Sequence, residues 1–196
     1  MMMSDYYDFK DRPADVRSII ALINLQGKDL VGAEIGVFEA ESFLTLLQNC
    51  PNIKTLHGVD SYQPHKDYLY KGTAPSREPA HVWGQKEIEI IKALSYHRQK
   101  YSGHQEKIVF HEEDSNIAAK SFENESLDFI FLDAHLSYEH TCNDLEVWYP
   151  KVKKGGIFAG HDLVSVDVQM AVDQFREKRR IHSLMSTYDN TWVWYK

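Results

Sequence analysis

The chain is short of cysteine, of basic charge and of long apolar runs, and each shortage closes a class of function. Only two cysteines, Cys50 and Cys142, occur in 196 residues. They can form one bridge at most, which is neither a disulfide framework nor a zinc cluster. A reducing cytoplasm is the expected setting. Lys and Arg number 22 against 29 Asp and Glu, a formal net charge of -7. Nucleic-acid binding needs a basic footprint, so no nucleic-acid partner is expected. No apolar run approaches the ~20 residues of a membrane span. Residues 1–10 are polar and aromatic and lack a signal-peptide core. No membrane role is expected, and no repeat or low-complexity tract is present. What remains is 43% hydrophobic and 26% charged residues, the composition of one folded domain, 1–196, with a core of its own.

Element types alternate along the chain. Residues 16–24 (VRSIIALIN) read as a helix, 31–37 as a short buried strand ending in glycine, and 42–48 as a helix. Residues 55–60 (TLHGVD) form a second strand, 107–112 a third, 115–122 a helix and 127–132 (LDFIFL) a strongly apolar fourth strand. A helix over 137–148 stops at Pro150, and Gly155-Gly156 opens a fifth strand over 157–160. A helix over 166–178 precedes two last strands, 181–186 and 191–195, joined by a turn at Asp189-Asn190. Alternating strands and helices imply a parallel sheet covered on both faces. Two strands joined by a tight turn are antiparallel. The expectation is an α/β three-layer sandwich, a seven-stranded mostly parallel sheet closed by an antiparallel hairpin.

Residues 62–104 break the rhythm. The stretch is rich in Tyr, Lys, Pro and His, then helix-like over 82–100. It is longer than a crossover needs and is expected to be a lid or acceptor-binding insertion. Tyr62, His65, Tyr68, Tyr70, Trp83 and Tyr96 are its candidate acceptor contacts; packing beneath a lid explains them equally well.

In such sheets ligands bind outside the carboxyl ends of the strands. The first end offers Glu34, then Gly36, whose backbone can turn tightly. The second ends at Asp60, placed either for the hydroxyls of a ribose or as a capping residue. The third leads to Asp114-Ser115, where Asp114 suits an adenine amino group and one of the two suits a helix cap. The fourth and fifth end in Asp133-Ala134-His135 and His161-Asp162. Neighbouring strands lie about 4.8 Å apart, so Asp133 and Asp162 can converge on a shared Mg2+-like cation. His135 and His161 are candidates for a base or a ligand.

Together these ends resemble the class I S-adenosylmethionine-dependent methyltransferases, over nearly the whole chain from Val31 to Lys196. The segment AEIGVFEAESF is similar to the family's first motif, HGVDSY to the second and HEEDS to the adenine-side motif. The segment FLDAHLSYEHTCNDLEVWYPKVKKGGIFAGHDL resembles the methyltransferase-24 type, related to macrocin-type sugar O-methyltransferases. The resemblance implies a Rossmann-like fold and S-adenosylmethionine bound along Glu34, Gly36, Phe38, Asp60, Ser61, Asp114, Ser115 and Asp133. It implies methyl transfer to a hydroxyl of a small acceptor such as a sugar or natural product. It also implies a base at His135 or His161, with Mg2+ at Asp133 and Asp162 by analogy with metal-dependent members. Homo-oligomerisation is left open.

Ala40 departs from the pattern, because the family places a glycine there. If φ is negative the turn survives; if it is positive, cofactor affinity suffers. Two other readings stand beside the methyltransferase. A dinucleotide oxidoreductase is weakened by the absence of a G-x-G-x-x-G turn after the first strand. A cofactor-binding module without turnover rests on Ala40 alone.

Overall fold

The structure is a computed structural model that describes residues 16–38, 40–62, 104–183, 185–188 and 190–196. The expected insertion therefore lies outside the described residues except at its ends. His65, Tyr68, Tyr70, Trp83 and Tyr96 fall within the undescribed part.

Among the described residues, five α-helices and seven strands follow in order: α1 (Arg17–Asn24), β1 (Leu30–Ile35), α2 (Glu41–Asn49), β2 (Ile53–Val59), β3 (Ile108–His111) and α3 (Ser115–Ala118). Then come β4 (Leu127–Leu132), α4 (Tyr138–Trp148), β5 (Val152–Gly160), α5 (Val166–Arg179), β6 (Ser186–Tyr188) and β7 (Thr191–Tyr195). They form one sheet in the order β3-β2-β1-β4-β5-β7-β6. Strands β1 to β5 run parallel, and β7 lies antiparallel between β5 and β6. This is the expected three-layer architecture with its closing hairpin.

The apolar run of β4 is what a strand covered on both faces requires. Phe129 and Phe131 pack on one side with Ile19 and Ile23 of α1 and Phe43 and Leu46 of α2. Ile130 and Leu132 pack on the other with Leu145 and Trp148 of α4 and Val172 and Phe175 of α5. Every one of these side chains is buried. Each contributes roughly 1.5–3 kcal/mol of burial free energy, so the two apolar clusters fix which side of the sheet each helix covers.

Several boundaries shift by a few residues, and two strand starts differ most from the sequence reading. Gly155-Gly156 does not open the fifth strand; β5 begins at Val152, paired with Leu127 of β4. The register then shifts, and pairing resumes at Phe129 with Ile157. A bulge absorbs the glycines, with Gly155 at φ +78° and hydrogen-bonded to the Lys196 carbonyl. The sixth strand is Ser186–Tyr188, not 181–186, and shares only Ser186 with the sequence reading, because that is where pairing with β7 falls.

Chain direction across the sheet reverses at β1 and β4. From β1 the chain moves outward through β2 to β3, and from β4 through β5 towards β7. The crevice outside the carboxyl ends of β1 and β4 is the place where such a sheet takes a ligand.

Candidate active site

β1 and β4 meet closely at that crevice. The Asp133 amide donates to the Ile35 carbonyl at 2.7 Å. A Cβ on Gly36, which sits at φ +88°, would lie 2.0 Å from the Asp133 carbonyl oxygen. Glycine is required here because another strand's backbone fills the space, a stricter demand than the ligand approach read from sequence.

Among its described residues, the loop after β1 holds three in the left-handed region: Gly36, Phe38 at φ 45° and Ala40 at φ 63°. Ala40 is the residue before α2, with ψ 28°. The turn therefore keeps a glycine-like shape with alanine in place, at a cost of about 1–2 kcal/mol. Tyr62 after β2 and Asp162 after β5 also have positive φ, at 49° and 58°. Strain of this kind collects at functional sites, where the surroundings enforce it. Phe38 is 47% exposed.

Asp60 organises this loop. Its Oδ2 accepts the Val37 and Phe38 amides, each at 2.9 Å, and its Oδ1 accepts the Tyr62 amide at 2.8 Å. The carboxylate thus joins the ends of β1 and β2, with half-buried Ser61 beside it. Both expected roles are compatible with this position: it caps the loop, and a carboxylate can accept further bonds from ribose hydroxyls.

Glu34 is fully buried. Its Oε1 accepts the Ser42 hydroxyl at 2.5 Å, and among the described residues its Oε2 has no hydrogen-bond partner. Burial pushes its pKa well up; the Ser42 bond opposes this, and the charges of Asp133 and Asp60 reinforce it. Three carboxyl groups therefore act on one another at the crevice, with the His161 imidazole 3.6 Å from Asp133 Oδ1. A cationic ligand, such as one carrying an ammonium and a sulfonium, would lower the repulsion among them.

Asp114 and Ser115 take the structural alternative. Asp114 is exposed, and its Oδ1 accepts the Asn116 amide at 2.9 Å, capping α3. The Ser115 hydroxyl donates to Asp144 Oδ1 at 2.5 Å and accepts the Trp148 indole N–H at 2.8 Å. Asp144, 6% exposed, was missed from sequence. It lies on the same stripe of α4 as Thr141, Leu145 and Trp148, and an acid on a buried stripe is the signal that could have found it. Burial raises its pKa to about 6, against the Ser115 bond and with help from Asp114.

β4 and β5 bring Asp133, His161 and Asp162 together. Leu132 pairs with Gly160, and the His161 amide donates to the Leu132 carbonyl at 2.9 Å. His161 Nδ1 lies 3.6 Å from Asp133 Oδ1 and 3.4 Å from Asp162 Oδ1. One ligand atom from each residue fits within 4.8 Å of the others. Burial disfavours charge on His161, but hydrogen bonds and charge from Asp133 and Asp162 outweigh it and raise its pKa to about 10. The same nitrogen can take a proton or a metal ion. The Asn190 side chain in the hairpin turn donates to Asp162 Oδ1 at 3.2 Å and accepts the Val164 amide at 2.8 Å. The closing hairpin thereby steadies the loop after β5.

A cleft runs beside this cluster, lined by Asp133, His135, Thr141, Asp144, His161 and Trp192, among others. His135 Nδ1 accepts the Ser137 amide at 3.1 Å, which puts the neutral ring's proton on Nε2. Its ring lies 4.3 Å from that of His140. A second histidine pair lies deeper, with His57 Nδ1 3.0 Å from His111 Nε2 beside Phe122.

Sheet order, the reversed β7 and a carboxylate-rich crevice at the switch point define a Rossmann-like fold of the methyltransferase kind. The family model described as a methyltransferase domain matches residues 33–163, which hold the whole crevice. The chain belongs to that family, and its methyl donor is S-adenosylmethionine. The family excludes the oxidoreductase reading. No curated protein matches the chain by sequence.

Solved structures resemble it at low identity. The O-methyltransferase NovP is 21% identical, with a TM-score of 0.67 over 93% of this chain and 78% of that one. A putative caffeoyl-CoA O-methyltransferase from Staphylococcus aureus is 13% identical, with a TM-score of 0.60 over 93% and 82%. A putative O-methyltransferase from Klebsiella pneumoniae is 17% identical, with a TM-score of 0.57 over 95% and 82%. At these identities the likeness speaks for the fold. Among the described residues no helix is long and apolar enough to cross a membrane.

Proposed function

We propose that the protein transfers the methyl group of S-adenosylmethionine to a hydroxyl oxygen of a small acceptor, such as a sugar or natural product. The observation that carries this reading is the convergence of Asp133, His161 and Asp162 beside the β1 crevice. When bound, the cofactor supplies a methyl on a positive sulfur, and transfer is an in-line displacement by the acceptor oxygen. Glu34 and Asp133 would hold the cationic end of the cofactor, the Gly36–Phe38 turn would supply backbone beside it, and Asp60 with Ser61 would take the ribose. Asp114 and Ser115 would bound the adenine side, through the cap and the turn they form.

A divalent cation held by Asp133 and Asp162, Mg2+ in the sequence reading, would lower the acceptor hydroxyl's pKa. His135 takes the acceptor's proton at Nδ1, exchanging the Ser137 amide for the acceptor O–H. That exchange gives up one ordinary hydrogen bond, about 1 kcal/mol. His161 is a poorer base, because two carboxylates hold its proton. Free Cys50 and Cys142 suit a cytoplasmic protein. The net charge of -7 speaks against a nucleic-acid partner.

Labelled methyl from S-adenosylmethionine, offered with a panel of sugars and phenols, tests the reaction. Transfer to a hydroxyl, reduced by EDTA and by Asp162→Ala, is expected. Transfer to nitrogen or carbon acceptors alone would reject O-methylation, and full activity in EDTA would reject the cation.

A further inference from the structure

We propose that His161 is itself a ligand of the cation, and that the site therefore selects a first-row transition ion such as Zn2+ or Co2+ over Mg2+. The inference rests on the reading of a divalent-ion site at Asp133 and Asp162 and assigns the identity of its ion. Among the described residues, Asp133, His161 and Asp162 are the only three such side chains with ligand atoms this close together.

Two arguments support the assignment. The first is donor chemistry. Carboxylate and water oxygens suit Mg2+, whereas an imidazole nitrogen shifts preference towards Zn2+, Co2+ and their neighbours. A site built for Mg2+ gains nothing from a histidine between its carboxylates.

The second is spacing. The nitrogen-to-oxygen distances are 3.4 and 3.6 Å, and all three ligand atoms lie within 4.8 Å of one another. A small closing movement brings them to the roughly 3–3.4 Å spacing of donors on one small ion. Three protein ligands also leave a coordination position open, as catalytic zinc sites do. Ligand orientation is supported from outside, because Asn190 fixes Asp162 Oδ1.

The cleft beside the cluster carries a further sign of a ligand. Trp192 lines it and is 1% exposed, and its indole N–H has no hydrogen-bond partner among the described residues. An unpaired buried donor costs about 1–3 kcal/mol. An acceptor atom of a molecule entering the cleft beside the cation would pair it.

The test uses the full chain, freed of metal by chelator dialysis and titrated calorimetrically with Co2+ and with Mg2+. Co2+ binding at least about thirtyfold tighter than Mg2+ is expected, with the preference falling below about threefold in His161→Asp, whose ligands are all oxygen. Pulsed electron paramagnetic resonance of the Mn2+-loaded wild-type chain adds a readout that needs no variant. It should show coupling to a directly bound 14N, and absence of that coupling would overturn the proposal. Equal Co2+ and Mg2+ affinities, both lost in Asp162→Ala, would overturn the role of His161 and leave the divalent-ion reading standing. Binding of neither ion would overturn both.

Discussion

Replacing Asp144 with Asn should stabilise the protein at neutral pH, and the gain should vanish in acid. Asp144 is a buried carboxyl whose pKa rises from 3.8 to about 6. A shift of roughly two units at ~1.36 kcal/mol each makes the ionised form about 3 kcal/mol costlier in the fold than in the open chain. A raised acid binds its proton more tightly when folded. Stability therefore falls as pH rises from 3.8 to about 6, and the full penalty persists above that. Asparagine keeps an oxygen for the Ser115 hydroxyl, so the chain from Trp148 through Ser115 survives. Its new N–H2 group offsets about 1 kcal/mol if unpaired. A net gain of roughly 2 kcal/mol near pH 7.5 is expected, falling to nothing or a small loss at pH 4. Urea titrations of both proteins from pH 4 to pH 8 measure this, and the difference curve cancels every other titrating group. A flat difference curve would refute the argument. The wild-type chain accepts this penalty in a cleft that also holds Asp133, His135 and His161, as expected where stability yields to function.

Other outcomes follow from the same geometry. Gly36→Ala joins a positive φ to a backbone clash and should cost at least ~3 kcal/mol, with loss of S-adenosylhomocysteine binding; a thermal melt within a degree or two of wild type would contradict the close approach of β1 and β4. Ala40→Gly relieves about 1–2 kcal/mol of strain but loses a buried methyl of about 0.8 kcal/mol and gains unfolded-state freedom. Its stability should stay within about 1 kcal/mol and its cofactor affinity within about twofold; a tenfold rise in affinity would show that alanine distorts the turn. His57 falls from 6.5 to about 4 through burial and the neighbouring His111, so the open chain binds the extra proton first. Stability is then lost as pH falls from 6.5 towards 4, by about 1–2 kcal/mol once partial exposure is discounted. His57→Phe should flatten that limb in acid denaturation.

Much of the fold was legible because burial writes itself into composition. LDFIFL reads as a strongly apolar strand, and its bounds, Leu127–Leu132, match the sequence reading. The closing hairpin was legible from its turn. Gly155-Gly156 misled because glycine marks both a strand's start and a bulge, and only pairing with β4 and Lys196 tells them apart. In the site, Asp133 and Asp162 were readable as ends of neighbouring strands. The place of His161 between them was not, since it depends on how a strand end aims its side chains. Asp114 followed local capping chemistry. Ala40 posed a question about φ that no sequence answers; the structure gives 63°, the sign for which the sequence reading expects weakened cofactor binding, and the affinity of Ala40→Gly decides between that expectation and a turn that alanine leaves intact.

The central claim is that S-adenosylmethionine binds across the carboxyl ends of β1 and β2. Calorimetric titration of the full chain with S-adenosylhomocysteine tests it most directly. Saturable binding at one site per chain is predicted, weakened at least about tenfold in Asp60→Ala. No heat and no thermal stabilisation at millimolar ligand, from a folded wild-type chain, would contradict the account.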